Sequence, residues 1–263
     1  MKSFIHRGLR LEYSDSGSGL PLVFLHGLGG SVRQIESTVE PLEGVRLICL
    51  NQQGHGSSQA NWESFCFDSL ADDALALLDE LQIEKAAFAG ISMGAGVCLN
   101  LALRYPHRVS RLLLIRNAWT EKPMAEKLIR AYADLGRCLE SGGKEAFFES
   151  EGWQTVKEPS AYTRNAFLLP FSEEHNVNNP QKYLLLPPDA PAKSREEISS
   201  VSCPCTILAN DSDLCHPLEY GEYLHRLIKG SELHIIPDKD SDGAGHKRLL
   251  NLYLKNWISA KQT

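Results

Sequence analysis

The stretch Ala86-Ala87-Phe88-Ala89-Gly90-Ile91-Ser92-Met93-Gly94 decides the fold of this 263-residue chain. Its first six residues predict a short buried strand, and a helical pattern over 94–105 follows at once and stops at Pro106. The last five residues match G-x-S-x-G, a sharp strand-to-helix turn that strains the serine backbone and requires small neighbours. Such a turn lifts the Ser92 hydroxyl above the carboxyl edge of a sheet. The motif alone is compatible with a chance match, but its strand and helix favour a functional role.

Other short apolar runs alternate with helical patterns, as in parallel strands joined by crossover helices. The further predicted strands are 22–25, 45–50, 109–115, 206–209 and 232–236, and the further predicted helices include 67–81 and 246–259. From 118 to 199 the pattern is helical, with no convincing buried strand. We therefore expect an α/β fold with a mostly parallel sheet flanked by helices, built from 1–117 and 200–263, and an inserted helical cap at 118–199.

The charge and cysteine content of the chain limit which binding partners we expect. Lys and Arg total 27 against 33 Asp and Glu, and a net charge of −6 gives no long-range attraction for nucleic acid or an anionic membrane. Seven cysteines without a C-x-x-C pair favour a reduced, cytoplasmic chain. No signal-peptide pattern, membrane-spanning run, metal motif or phosphate loop is recognised. We expect a small-molecule substrate, with no nucleic acid, membrane, metal or cofactor as partner.

A serine nucleophile needs a base, and the base needs an orienting carboxylate. The candidate base is His246, because the small residues of Gly243-Ala244-Gly245 would let a loop bring its imidazole over the sheet edge. The alternative is a surface histidine at a helix start. The candidate acids are Asp211 and Asp213, which follow the strand 206–209, and either could instead be a solvated turn residue or a helix cap.

Two backbone amides are candidates for stabilising an oxyanion. One belongs to Met93, at the start of a helix whose dipole and free amides suit negative charge. The other belongs to Leu28, within the glycine-rich stretch 26–30 that directly follows the first long strand. A tight strand-to-helix connection would need the same glycines.

Together these motifs resemble the α/β-hydrolase fold superfamily, in its branch of cap-bearing serine esterases, enol-lactonases and C–C hydrolases. The order is H-G-x-G-G at 26–30, G-x-G-x-S at 54–58, G-x-S-M-G at 90–94, an acid loop, and G-H at 245–246. It covers nearly the whole chain outside the predicted cap. The resemblance implies a triad of Ser92, Asp213 and His246 in that order.

The resemblance also assigns the supporting residues. The family's acid loop often reads G-x-x-D-x-x-x-P, and its alignment on 210–217 selects Asp213 over Asp211, with Asn210 in place of glycine. His26 and Gly27 are implied to hold the loop that carries the Leu28 amide, and Gly90 and Gly94 to allow the turn at Ser92.

One stretch departs from the family pattern. The usual D-x-R-G-x-G-x-S reads Asn51-Gln52-Gln53-Gly54-His55-Gly56-Ser57-Ser58 here, so amides replace both the acid and the arginine. We expect amide hydrogen bonds to take the place of an ion pair, and we expect His55 to be a loop residue rather than a second base.

Three carboxylates precede His246, at Asp238, Asp240 and Asp242, and their D-x-D-x-D-G spacing matches the opening of a calcium loop. The twelfth position of such a loop should be glutamate, but it is Leu249. A solvated acidic loop is therefore the favoured interpretation. We expect its charge to raise the pKa of His246.

The sequence thus predicts a cofactor-free serine hydrolase that acts on a small, apolar ester or lactone through an acyl-enzyme on Ser92. Serine at this position argues against dehalogenase or epoxide hydrolase chemistry, which uses aspartate in this fold. Two alternatives stay open: a hydrolase-like small-molecule receptor or regulatory protein with weak turnover, and a perhydrolase or haloperoxidase-type activity on the same triad.

Overall fold

Eight strands form one sheet in the order β1-β2-β4-β3-β5-β6-β7-β8 in the computed structural model, which describes residues 1–211 and 213–259. The strands are β1 Lys2–His6, β2 Leu9–Gly17, β3 Leu20–Leu25, β4 Val45–Leu50, β5 Ala86–Ile91, β6 Val109–Ile115, β7 Cys205–Asn210 and β8 Glu232–Ile236. The pairs β1–β2 and β2–β4 are antiparallel, and all the others are parallel. The expected α/β fold with a mostly parallel sheet is confirmed, but β1 and β2 were not predicted.

Helices flank this sheet on both faces. They are α1 Val32–Thr38, α2 Phe67–Glu80, α3 Met93–Arg104, α4 Glu126–Arg137, α5 Gly143–Phe148, α6 Glu151–Val156, α7 Ala161–Leu168, α8 Glu174–Val177, α9 Lys182–Leu185, α10 Arg195–Ser199, α11 Leu218–Leu227 and α12 Lys239–Ser259, with α12 interrupted at Asp242. In the described part of the chain, no helix has both the length and the apolar character needed to cross a membrane.

Two apolar clusters cover the two faces of the sheet, and β5 contributes to both. Phe88 lies in the cluster under α2 and α3, and Ala89 lies in the cluster under α1 and α12. The regular elements between β6 and β7 are helical, and we call residues 118–199 the helical insertion. Its side chains Phe147 and Phe167 join the first cluster, so the insertion shares a core with that face of the sheet.

The amides at positions 51 and 53 are buried and hydrogen-bonded. Asn51 Oδ1 accepts the Val32 amide at 2.8 Å, and Gln53 Nε2 donates to Asp73 Oδ2 at 2.7 Å. Asp73 is 2% exposed, and its nearest basic group is His6, 4.0 Å away. Burial therefore raises the pKa of Asp73 to about 7, although the hydrogen bond from Gln53 opposes this. An amide at position 53 can bond to this carboxylate but cannot neutralise its charge.

Asp73 should make the stability of the protein depend on pH. Its pKa rises from 3.8 to about 7 on folding, so the folded state retains a proton that the unfolded chain has lost in this range. The free energy of unfolding should fall as pH rises from about 4 to 7 and then level off. Between pH 5 and pH 8 the wild type should lose about 2.5 kcal/mol more than Asp73→Asn in urea unfolding.

The adjacent Asp72 provides the control. Hydrogen bonds from Tyr105 and Arg104 lower its pKa below 3.8 despite partial burial, so Asp72 is charged in both the folded and the unfolded state above about pH 5. Asp72→Asn should therefore leave the pH dependence between pH 5 and pH 8 like that of the wild type. Equal pH dependence in the wild type and Asp73→Asn would show that Asp73 is charged in the folded protein.

Candidate active site

Ser92 lies on a strained turn between β5 and α3, near the centre of the sheet. Its φ of 56° and ψ of −112° fall outside the common regions for a residue with a side chain. A Cβ on Gly90 would lie 2.2 Å from the Gly94 carbonyl, and a Cβ on Gly94 would lie 2.2 Å from the Leu25 carbonyl. The two glycines are therefore needed for the turn, which presents the Ser92 side chain at the carboxyl edge of the sheet.

A histidine hydrogen-bonds to Ser92, and it is His216. Its Nε2 lies 2.9 Å from Ser92 Oγ, and its Nδ1 lies 2.8 Å from Asp213 Oδ2. A carboxylate can only accept, so Nδ1 carries the hydrogen and Nε2 can accept the serine proton. Asp213 and His216 share the loop between β7 and α11, where Asp213 Oδ1 also accepts the Cys215 amide at 2.9 Å. This chain of hydrogen bonds joins a nucleophile to a base and the base to a carboxylate.

His246 does not join this arrangement, so the structure contradicts the prediction for the base. Only two residues separate the end of β8 from Lys239, where helix α12 begins, and this leaves no long loop to carry His246 across the sheet edge. Its ring is 2% exposed, and Nδ1 donates to the Pro237 carbonyl at 2.8 Å. In the described residues it makes no hydrogen bond to Ser92 or Asp213.

The acidic residues before His246 do not act as expected either. Asp238 accepts from the Asp240 and Ser241 amides, Asp240 accepts the Tyr162 amide, and Asp242 accepts the Gly245 amide. The three carboxylates thus bond to separate backbone groups. Burial lowers the pKa of His246 to about 4, so the expected rise is wrong. The other candidate acid, Asp211, is exposed.

Arg116 at the end of β6 is a site residue that the sequence did not reveal. Its Nη2 donates to Asp213 Oδ2 and lies 3.1 Å from His216 Nδ1, and its Nη1 donates to Tyr162 Oη at 3.1 Å. The guanidinium is buried, with its side chain 3% exposed. Burial first, and then the charge of Arg116, lower the pKa of His216 against the attraction of Asp213.

The glycine-rich loop at 26–30 lies beside Ser92. A Cβ on Gly27 would be 3.5 Å from the Ser92 Cβ, so the two segments are in contact. The Gly27 carbonyl accepts His26 Nδ1 and the Gly30 amide, both at 2.9 Å. Because a trans peptide directs its N–H opposite its C=O, these bonds also set the direction of the Leu28 amide. No described residue accepts a hydrogen bond from that amide, and the Met93 amide begins α3 without a partner inside the helix.

A cavity of about 1300 Å³ opens onto these groups. Its wall includes Ser92, His216 and Leu28 from the sheet side. The side chains from the helical insertion that line it are mainly polar: Tyr132, Tyr162, Thr163, Asn165, Ser172, Glu173, Glu174, His175, Asn178, Asn179 and Tyr183, with Ala166, Leu169 and Pro170. The aromatic side chains Phe147 and Phe167 lie in the core instead. The insertion therefore brings many hydrogen-bonding side chains to the wall, together with tyrosine rings.

The sequence did contain a signal for His216. It stands three residues after Asp213 and directly before Pro217, inside the loop that aligned on the acid motif. Two side chains three residues apart in a tight turn can face the same way, as Asp213 and His216 do here. A search restricted to the motif order passes over this position, because it looks for the base after the last strand.

Comparison with known proteins bears on the fold. A sequence model described as alpha/beta hydrolase fold matches residues 21–136. The AB hydrolase superfamily protein YisY of Bacillus subtilis (strain 168) is 29% identical over 239 residues, 85% of each chain. A putative non-heme haloperoxidase of Mycobacterium phage D29 is 40% identical over 130 residues, which span 49% of this chain and 47% of that one.

A solved structure gives the same fold. The enol-lactonase from Burkholderia xenovorans LB400 superposes with a TM-score of 0.75 at 19% identity, covering 98% of this chain and all of that one. At this identity the likeness concerns the fold. The matched sequence model, the relatives and the eight-stranded sheet lead to one conclusion: the chain has the α/β hydrolase fold.

Proposed function

We propose that the chain is a serine hydrolase that cleaves a small ester or lactone through an acyl-enzyme on Ser92, with a catalytic triad of Ser92, His216 and Asp213. One observation carries the proposal: His216 links the Ser92 hydroxyl, at 2.9 Å, to the Asp213 carboxylate, at 2.8 Å. These distances suit general base catalysis. The comparisons support hydrolysis as the type of reaction, since the matching sequence model is described as alpha/beta hydrolase fold and YisY as an AB hydrolase superfamily protein.

In the proposed reaction, Ser92 Oγ attacks the substrate carbonyl carbon while its proton moves to His216 Nε2. Asp213 keeps the Nδ1 hydrogen in place and stabilises the imidazolium that forms. The Leu28 and Met93 amides receive the oxyanion. The imidazolium then protonates the leaving oxygen, and the same ring later takes a proton from the water that hydrolyses the acyl-enzyme.

The substrate proposal follows from the cavity. The helical insertion acts as a cap that closes over Ser92, and its tyrosines and amides offer both apolar surface and hydrogen bonds. A substrate with an apolar acyl part and polar groups at the outer end fits this wall better than a purely apolar one.

All seven cysteines are thiols, which fits the reducing conditions of a cytoplasm.

A second candidate is perhydrolysis, in which peroxide replaces water in the second half of the reaction. The 40% identity to the putative haloperoxidase over half of either chain favours it. Acetate, hydrogen peroxide and bromide would then support bromination of monochlorodimedone, because the peracid that is released oxidises bromide to the brominating species, and Ser92→Ala would abolish it. Esterase activity without any peroxide-dependent bromination would reject this candidate.

The base can be identified by comparing two histidines. His216→Gln, like Ser92→Ala, should lower kcat for p-nitrophenyl acetate at least about a thousandfold, because it removes a triad member. His246→Gln should keep kcat within about threefold and lower the melting temperature, since it loses only a buried hydrogen bond to Pro237. The rate at which a fluorophosphonate labels Ser92 should fall strongly in His216→Gln and stay close to the wild-type rate in His246→Gln. The opposite ranking would restore His246 as the base.

The pH profile tests the electrostatic role of Arg116. A base must be neutral to act, and the pKa of His216 lies below its ordinary 6.5, so the wild type should stay active below that pH. Arg116→Gln removes a neighbouring positive charge and should move the acidic limb of kcat/KM upward by about one pH unit. The measurement is kcat/KM from pH 4 to pH 9.

Arg111 provides a matched control. It is a buried arginine within β6, five residues before Arg116, and it donates to the Trp257 carbonyl, away from the cavity. Arg111→Gln should cost stability and leave the acidic limb unmoved. An acidic limb that does not rise in Arg116→Gln would show that Arg116 does not set the basicity of His216.

A further inference from the structure

The helical insertion contacts the backbone of the loop that carries the Leu28 amide. Asn176 Nδ2 donates to the Gly29 carbonyl at 2.9 Å, and His175 Nε2 lies 3.3 Å from the same oxygen. From the sheet side, His55 Nε2 accepts the Gly29 amide at 3.0 Å. Gly29 is therefore held through its carbonyl by the insertion and through its amide by the residues that follow β4.

Both polar atoms of the Asn176 side chain are hydrogen-bonded. Its side chain is completely buried, its Oδ1 accepts Tyr183 Oη at 2.9 Å, and its Nδ2 also donates to Glu173 at 2.6 Å. These two partners fix which end of the amide faces Gly29. A Cβ at position 29 would lie 2.4 Å from Tyr183 Oη, so the insertion packs directly on this Cα.

Lys182 connects the backbone of the same segment to the loop after β4. It is fully buried and donates to the Gly54 carbonyl at 2.7 Å and to the His175 carbonyl at 3.2 Å. One of these carbonyls belongs to the loop after β4 and the other to α8. The segment around Asn176 is thus fixed to the sheet by a buried lysine as well as by its contact with Gly29.

We propose that Asn176 is a positioning residue for the reaction: by holding the Gly29 carbonyl, it aims the Leu28 amide at the oxyanion. This rests on the proposed function of Ser92. The Leu28 amide lies two peptides before the held one. The loop is otherwise fixed by its own bonds, by the rings of His26, His55 and His175, and by Gln34 Oε1, which accepts the Gly27 amide at 2.8 Å. The insertion would therefore complete the oxyanion site as well as wall the cavity.

The test compares Asn176→Ala and Asn176→Asp with the wild type. Aspartate keeps the size of the side chain and removes both N–H donors. In both variants kcat for p-nitrophenyl acetate should fall at least about tenfold, with KM within about threefold, because a misdirected amide acts on the transition state. The inhibition constant of a trifluoromethyl ketone, whose adduct on Ser92 carries an oxyanion, should rise by the same factor.

Asn251→Ala is the matched control. Asn251 is an equally buried asparagine that bonds backbone groups of Thr38, Glu40 and Lys247. Its loss should lower the melting temperature without changing kcat or the ketone inhibition constant. If neither Asn176 variant melts cooperatively, Tyr183→Phe, which removes only the hydroxyl that orients Asn176, should produce the same pattern with a smaller change.

Amide deuterium exchange separates this inference from the proposed function. Exchange in the peptide covering 26–34 should speed up in the Asn176 variants and stay unchanged in Asn251→Ala. Unchanged exchange in that peptide, or a change in KM alone, would overturn the inference. If the wild type shows no turnover that depends on Ser92, the proposed function fails, and the exchange data still decide whether Asn176 holds the loop.

Discussion

The buried carboxylate of Asp213 is the contact on which the rest of the site depends. It accepts hydrogen bonds from His216, from Arg116 and from the Cys215 amide, and its side chain is 6% exposed. These donors lie on two different segments, the end of β6 and the loop after β7. A charge buried this deeply is stable only while its donors stay in place, so the same contacts that stabilise the loop also orient the imidazole toward Ser92.

Most of the sheet and the turn at Ser92 could be predicted because both are encoded locally. The strands β4, β5 and β6 read as short apolar runs, since helices bury both faces of a parallel sheet. The glycines around Ser92 are required by contacts within a few residues of the turn and with β3. β1 and β2 were not predicted from the sequence. They are antiparallel strands at one edge of the sheet, and β1 buries only Phe4.

The identity of the base could not be predicted in the same way, because it depends on distances between segments far apart in sequence. His246 matched the expected order, but the early start of α12 keeps its ring beside Pro237. His216 reaches Ser92 because the loop after β7 passes over the carboxyl end of β5. Motif order says which loops meet at the sheet edge. It does not say which side chain of a loop points toward Ser92. Here the connection between β8 and α12 is too short to bring His246 there.

The helical insertion meets both halves of the proposed machinery. On the side of the base, Tyr162 accepts Arg116, and Arg116 in turn holds Asp213. On the side of the oxyanion, Asn176 holds Gly29. Tyr162 itself lines the cavity, and Asn176 lies between the lining residues His175 and Asn178, so a change in the wall shifts the same short helices that support the proposed chemistry. In the proposed mechanism, a change in which substrate fits is therefore physically coupled to a change in how fast it reacts.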